Sequence, residues 1–282
     1  MEKKAVMLVN DLPGVTKVAL GAMIPILSYM GFSVHNLPTA LVSNTLDYGD
    51  FHLLDTTEYM KEAIQVWKRL GFQMDSIATG FISSEKQIPL IEELIDNNRE
   101  KNPFIMVDPI MGDHGSLYNG LSENLIPLMQ NMVKKSHVTL PNLTEAYFLT
   151  GRKEAKDKVE SEKELKELGE GLSDLGAQSY LITSVITPGG RHCIYGYDHV
   201  EKRNFTVDYE YIPVNFPGTG DVFSAVLLGN LLRGKNLECS ARKASDFIYR
   251  AILGNREFTK DTRDGLFIEN HLKLLRGAGE AC

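Results

Sequence analysis

The order of segments along the chain predicts an α/β fold: a mainly parallel central sheet flanked by helices on both faces, with one short antiparallel hairpin. Three observations carry this expectation. Short apolar runs, read as strands, alternate with longer segments whose apolar residues recur every three to four positions. Several of those runs are apolar throughout, as strands covered on both faces are. Between Arg191 and Pro213 the rhythm changes to two consecutive strand-like segments joined by a short polar turn.

Val6-Met7-Leu8-Val9 is the first buried-strand candidate, Lys17 to Met30 a helix containing Pro25, and Phe32 to Leu37 a second strand. In Thr57 to Leu70 the stripe Met60, Ile64, Trp67 and Leu70 has helical spacing, and in Ser84 to Asn98 Ile88, Ile91, Leu94 and Ile95 do the same, with the strand Asp75 to Thr79 between them. Phe104 to Val107, His137 to Leu140 and Tyr180 to Thr183 read as strands, and Leu121 to Val133, Leu143 to Thr150 and Glu160 to Leu175 as helices. Cys193 to Tyr197 and Lys202 to Val207 form the expected hairpin, turning at Asp198-His199. Two helices follow Gly220, broken near Gly234 to Asn236. The charged stretch Arg152 to Glu170 reads as a solvated helix face. With no internal repeat and no low-complexity linker, residues 1–282 are read as a single domain.

Composition removes several classes of function. Hydrophobic residues make up 43% and charged residues 24% of the 282, the ordinary globular mixture. Thirty basic against 37 acidic residues leave a net charge of −7, which argues against a broad nucleic-acid-binding surface. Cys193, Cys239 and Cys282 lie far apart without a CxxC pair, so unpaired thiols in a reducing compartment are expected. Ala5 to Val9 is too short an apolar run for a signal peptide, and Val18 to Val34 contains Pro25, Ser28 and Tyr29 and falls short of a membrane span. A soluble, cytoplasmic protein is expected.

Three segments carry chemistry. Pro217-Gly218-Thr219-Gly220-Asp221 leads into the helical run Val222 to Leu232. Glycines at a helix start let the backbone approach a ligand, and the unpaired N–H groups there suit a phosphate. Asp221 beside an anion site would repel the anion. It makes chemical sense as the acceptor of a hydroxyl proton while phosphate is transferred, and equally as an N-cap after a glycine turn. Phe104 to Val107 ends in Asp108-Pro109 and a turn through Gly112-Asp113, which places carboxylates at a strand's carboxyl end, where open α/β sheets bind ligands. His137 to Leu140 leads through Pro141 to Asn142 and Glu145, spaced as a capping box. The alternative for Glu145 and Asp108 is a Mg²⁺ site, since that ion keeps several waters and takes one or two carboxylates beside nucleotide phosphates. There is no GxGxxG after the first strand, no HExxH among the seven histidines and no GxSxG. Gly229 to Asn236 approaches a P-loop but has Asn236 where Ser or Thr is needed.

Taken in order, VDPIMGD (107–113), PNLTEAYFLTG (141–151) and PGTGDVFSAVLLGNLLRG (217–234) resemble the ribokinase-like superfamily. VNDLPG (9–14), PILSYMG (25–31), LPTALVSN (37–44) and TGFISSEKQ (79–87) narrow the resemblance to the pyridoxal/pyridoxamine (vitamin B6) kinases, over residues 5 to 255. The resemblance implies a single ribokinase-like domain that phosphorylates the 5′-hydroxymethyl group of pyridoxal, pyridoxine or pyridoxamine with ATP, in the salvage of vitamin B6. It implies Mg²⁺ with ATP, a monovalent cation such as K⁺, and a homodimer without nucleic-acid or membrane partners. It makes Asp221 the catalytic base, Gly218, Thr219 and Gly220 the anion hole, and Asn10, Thr45, Leu46, Phe81 and Asp221 the substrate contacts. It assigns ATP to Asp108, Asn142, Glu145, Thr183 and Ser184, and the metal to Asp108 and Glu145.

The sequence departs from that family on the acceptor side. Asn10 stands where Ser or His is usual, Leu46 replaces a Thr unless Thr45 takes its role, Phe81 replaces a ring-stacking Tyr, and Val15-Thr16-Lys17-Val18 replaces a glycine-rich stretch. Alternatives therefore stay open. They are a hydroxymethylpyrimidine kinase, in which Cys often stands at the place of Asp221, a sugar kinase of the same superfamily, and a binding protein that has lost catalysis.

Overall fold

In a computed structural model the described residues are 3–118, 121–152, 154–256 and 261–276. They gather into two compact units, one made of Met1–Pro103 with Ile212–Cys282 and the other of Phe104–Tyr211. The first unit opens with β1 (Ala5–Pro13), α1 (Ala19–Tyr29), β2 (Ser33–Val42), β3 (Leu53–Asp55), α2 (Thr57–Leu70), β4 (Ser76–Thr79) and α3 (Ile88–Asn97). The second holds β5 (Phe104–Val107), the two-residue strands β6 (Gly112–Asp113) and β7 (Ser116–Leu117), α4 (Leu125–Lys134), β8 (Val138–Thr139), α5 (Leu143–Leu149), α6 (Glu162–Leu175), β9 (Ser179–Ile186), β10 (His192–Asp198) and β11 (Arg203–Asp208). The chain then returns to the first unit for α7 (Thr219–Leu232) and α8 (Leu237–Asn255).

The expected α/β class is what forms. In the first unit the strands lie in the order β4-β1-β2-β3, with β1 parallel to both β4 and β2, and only the three-residue β3 antiparallel. In the second unit the order is β5-β8-β9-β10-β11, parallel from β5 to β9, with the expected hairpin added as antiparallel β10 and β11. Val6 to Val9 of β1 are fully buried, as a strand covered on both faces must be. Register aligns the strand ends: Val9 lies beside Leu37 of β2 and Thr79 of β4. One extra residue enters β2 opposite the step from Asn10 to Leu12, so the regular ladder loosens where Asn10 and Asp11 emerge.

Helices form where the apolar period runs. Ile88, Ile91, Leu94 and Ile95 of α3 are all buried. The turn before them, Glu85–Gln87, is 3-10 helix capped by Ser84 and not part of the α-helix predicted from Ser84. The α2 stripe runs out of the core at its end: Met60 and Ile64 are buried, while Leu70 is 61% exposed. Helix α7 is buried continuously from Val222 to Asn230, the mark of a helix packed on all sides. The charged stretch is solvated along α6, with Lys163–Glu167 and Lys166–Glu170 pairs, except at Glu164. That side chain turns inward to accept from the Tyr147 hydroxyl and the Glu160 N–H. Cys193 is a free, buried thiol as expected. Cys239 is disulfide-bonded, which corrects the expectation for that residue, because spacing along a sequence does not tell which thiols meet in space. Cys282 lies outside the described residues. No helix among the described residues is long and apolar enough to cross a membrane.

Candidate active site

The first unit gathers Asn10, Phe81, Asp221 and the glycines before it. Gly218 is the N-cap of α7 and adopts φ +82°, a left-handed conformation that favours glycine. A Cβ there would lie 2.8 Å from the Lys17 carbonyl oxygen and 2.9 Å from Val18 Cγ1, so the close approach also demands glycine. The bond that closes the first turn of α7 runs from the Val222 N–H to the Gly218 carbonyl. Thr219, Gly220 and Asp221 therefore precede the helical ladder, at the positive end of the helix dipole. Gly220 faces open space, with no heavy atom within 4 Å of the place a Cβ would take.

Asp221 is held at both carboxylate oxygens. Asn10 Nδ2 donates to Oδ1 at 3.0 Å and the Ala19 N–H to Oδ2 at 2.8 Å. To offer that N–H, the entry to α1 bends through two left-handed residues that are not glycine, Thr16 before the helix at φ +78° and Ala19, its first residue, at φ +47°. Such conformations cost about 1–2 kcal/mol each and persist where the surrounding structure enforces them. Burial raises the pKa of Asp221, and the two donated hydrogen bonds work against that rise. A carboxylate whose pKa is raised is a stronger base than an exposed aspartate. Asp11, the next residue after Asn10, is pushed up to about 7 by burial and by the charge of Asp221. Sequence reasoning missed Asp11 and Ala19. The adjacency of Asn10 and Asp11 was visible, but the return of the chain to position 221 was not.

The other predicted acceptor contacts divide. Phe81 follows β4, its N–H donating to Asn10 Oδ1 at 2.8 Å and its carbonyl accepting from Thr39 Oγ1 at 2.7 Å. Thr45 is buried, and its hydroxyl has no hydrogen-bond partner in the chain. Leu46 opens a 3-10 turn and is 47% exposed. Between the two, only Thr45 has the polar atom that a lost threonine would have supplied.

The second unit assembles the predicted nucleotide-side residues. Asn142 and Glu145 form the capping box of α5: the Glu145 N–H donates to Asn142 Oδ1 at 2.9 Å and the Asn142 N–H to Glu145 Oε2 at 2.8 Å. Glu145 also reaches out of its helix. Its Oε1 accepts from the Met111 N–H at 2.9 Å, and Asn142 Nδ2 donates to the Gly112 carbonyl at 2.8 Å, so the turn after Asp108 is pinned to the start of α5. Glu145 is buried, and burial together with the charge of Asp108 raises its pKa well above the usual carboxylate range. The two carboxylates thus stand close enough to repel, a strain that a cation between or beside them would relieve. Glu145 has both oxygens engaged with N–H groups and fits a metal through water better than directly. Asp108, part-exposed at the end of β5, fits direct contact. No cluster of three or more His, Cys, Asp or Glu side chains suited to a metal occurs among the described residues. The Thr183 N–H donates to the Pro141 carbonyl at 2.9 Å, bridging β9 to the residue before Asn142. Ser184 follows inside β9, exposed, at φ +56°, where the ladder with β10 shifts register, a further point of backbone strain.

Comparison with known proteins places the chain in a family. The profile of the family described as phosphomethylpyrimidine kinase matches residues 26–264. A pyridoxal kinase of Arabidopsis thaliana is 34% identical over 160 residues, covering 54% of this chain and 49% of that protein, so the match spans about half the length of that relative. Among solved structures, a candidate phosphomethylpyrimidine kinase from Bacteroides thetaiotaomicron, in a crystal form with pyridoxal, superposes with a TM-score of 0.92 at 35% identity, covering 100% of this chain and 97% of that one. The pyridoxal kinase of Lactobacillus plantarum shares the fold, with a TM-score of 0.88 at 24% identity over 99% of both chains. A held carboxylate behind a glycine-flanked helix start, on a sheet of this topology, is thus found in a chain that belongs to the phosphomethylpyrimidine kinase family of ribokinase-like phosphotransferases, to which its pyridoxal kinase relatives bind it in sequence and in fold.

Proposed function

We propose that this kinase transfers the γ-phosphoryl group of ATP to the 5′-hydroxymethyl group of pyridoxal, pyridoxine or pyridoxamine. The observation that carries the reading is Asp221, its two oxygens fixed by Asn10 and Ala19, next to the open face of Gly220 at the start of α7. The relative solved with pyridoxal supports the choice of acceptor. In this reading Asp221 accepts the proton of the attacking hydroxyl late in the transfer, because an alcohol is a far weaker acid than a carboxylic acid. The N–H groups of Gly218, Thr219 and Gly220 receive the charge on the transferring phosphoryl group. Thr45 and Phe81 take the acceptor, Thr45 through its unpartnered hydroxyl.

On the nucleotide side we assign Asp108, Asn142, Glu145, Thr183 and Ser184. Asp108, with Glu145 through water, would hold Mg²⁺, which when bound neutralises phosphate charge. A monovalent cation, a homodimer, one kinase domain spanning residues 1–282 and a cytoplasmic location complete the proposal.

The test is direct. The purified protein is given MgATP with pyridoxal, pyridoxine, pyridoxamine or hydroxymethylpyrimidine, and the product is weighed. A phosphorylated B6 vitamer, whose formation falls by about 10²–10⁴ in Asp221→Asn, supports the reading. The family's name favours one second reading, a pyrimidine acceptor, and product from hydroxymethylpyrimidine alone would establish it. Stabilisation by ligands without turnover would make the chain a binding protein.

A further inference from the structure

We infer that Asn10 is a positioning residue, which acts on the reaction by orienting Asp221 and makes no contact with the acceptor. The inference rests on Asp221 being the base. Its starting point is hydrogen-bond capacity, since a primary amide has two donors on nitrogen and two acceptor sites on oxygen. Asn10 Oδ1 accepts from the Asp11 N–H at 3.0 Å and from the Phe81 N–H at 2.8 Å. Backbone N–H groups only donate, so these two contacts fix which end of the amide is oxygen. Nδ2 must then face the other way, where it donates to Asp221 Oδ1 at 3.0 Å and lies 3.6 Å from Met23 Sδ. All four positions are engaged, and none is left for a pyridine ring.

Access is closed as well. Asn10 is 1% exposed, and the backbone of Gly80 lies so close that a Cβ at position 80 would be 2.4 Å from Nδ2. Gly80 is therefore the lid over the amide, and its lack of a side chain makes room for Asn10. The amide joins three elements, the end of β1, the turn after β4 and the first turn of α7. With the Ala19 N–H on the other oxygen, it stops rotation of the Asp221 carboxylate. Of the titratable groups nearby, Asp11 faces the same carboxylate from the end of β1, and Lys17 is paired with Glu269 at 2.9 Å.

The experiment compares wild type, Asn10→Asp and Gly80→Ala by kcat, acceptor KM and the pH dependence of kcat. Asn10→Asp keeps shape and both acceptor contacts but replaces the donor with a carboxylate oxygen facing Asp221 Oδ1, so it adds repulsion to the lost hydrogen bond, which Gly80→Ala does not. Gly80→Ala keeps Asn10 and displaces it. Both variants are expected to lower kcat by about 10–10², the cost of misplacing a reacting group by about 1 Å. Acceptor KM should change by less than about threefold. The acid limb of the profile should move to higher pH, since the lost hydrogen bond favoured the charged form of Asp221. A rise in KM with kcat and the acid limb unmoved would make Asn10 an acceptor contact and overturn the inference. Titration of the ¹³C-labelled Asp221 carboxyl in wild type and Asn10→Asp needs no turnover. If the wild type phosphorylates none of the four alcohols, the proposed function fails. An Asp221 titration identical in the two proteins overturns the positioning role on its own.

Discussion

Replacing Gly220 by alanine adds one methyl group to the first turn of α7, where nothing lies within 4 Å of it and no positive φ has to be kept. The substitution should therefore be stabilising by about 0.5–1 kcal/mol, from helix propensity and from the reduced freedom of the unfolded chain. For a chain of this size that raises Tm by about 1–3 °C. The same methyl group occupies the open face where, on the function proposed above, the transferring phosphoryl group approaches the N–H groups. Loss of one such donor costs about 10²–10³ in kcat. Gly218→Ala is the converse case. Its φ of +82° costs an alanine about 1–2 kcal/mol, and its Cβ would sit 2.8 Å from the Lys17 carbonyl, adding about 1–3 kcal/mol of overpacking. That variant should lose several degrees of Tm along with activity. Calorimetry and an ADP-release assay on the two proteins separate the effects. If Gly220→Ala turns over like wild type, the phosphoryl group does not pass this face. If it melts well below wild type, the space beside Gly220 is not open, and the reasoning fails.

Further outcomes are expected away from that helix. Glu145→Gln turns one oxygen of a buried acceptor of three N–H groups into a donor facing an N–H, and should destabilise the chain by about 1–3 kcal/mol in urea titration. Gly112→Ala would put a Cβ 2.2 Å from the Ser116 carbonyl oxygen and 2.9 Å from Leu117 Cα, both backbone, at a cost of about 3 kcal/mol measured the same way. Asp11 has a folded pKa of about 7 against an ordinary 3.8, so the folded state holds its proton more tightly than the unfolded chain. Stability is therefore lost as pH rises from about 4 to about 7. The full linkage of about 4 kcal/mol falls to about 1–2 for a carboxyl that water partly reaches. Asp11→Asn should lose less Tm between pH 5 and pH 8 than the wild type, the remaining slope belonging to other buried carboxyls such as Glu145 and Asp221, and an unchanged pH slope in that variant would place the linkage elsewhere.

Local chemistry explains what was readable in the residues beforehand. The α3 stripe, the run Val6 to Val9 and the Asn142–Glu145 capping box depend on spacings of two to four residues, and each forms as read. β6 and β7 have two residues each and β3 three, too few to show a period. β2 passes through Pro38, a residue that argues against a strand, and continues to Val42. Helix α7 is apolar on every side, so its sequence reveals burial but no face. At the candidate site, the glycine–aspartate block and the Asp108 and Glu145 carboxylates stand out by type. The clamp on Asp221 does not, because Asn10 and Ala19 meet it across 211 and 202 positions. Glu145 was legible as either a cap or a metal group, and the structure gives it the cap, with a second contact to the turn after Asp108.

That separation along the chain has a consequence for synthesis. The unit containing Asp221 is built from Met1–Pro103 and Ile212–Cys282, with the other unit's residues translated in between. A nascent chain has made β1, α1, β2 and β4 long before Asp221 leaves the ribosome, so the strained turn at Thr16 and Ala19 and the amide of Asn10 wait without the carboxylate they hold. Contacts of such long sequence separation form late and slowly. On the function proposed above, the partly made protein has no oriented base, and in refolding the recovery of helical signal should precede the recovery of phosphate transfer.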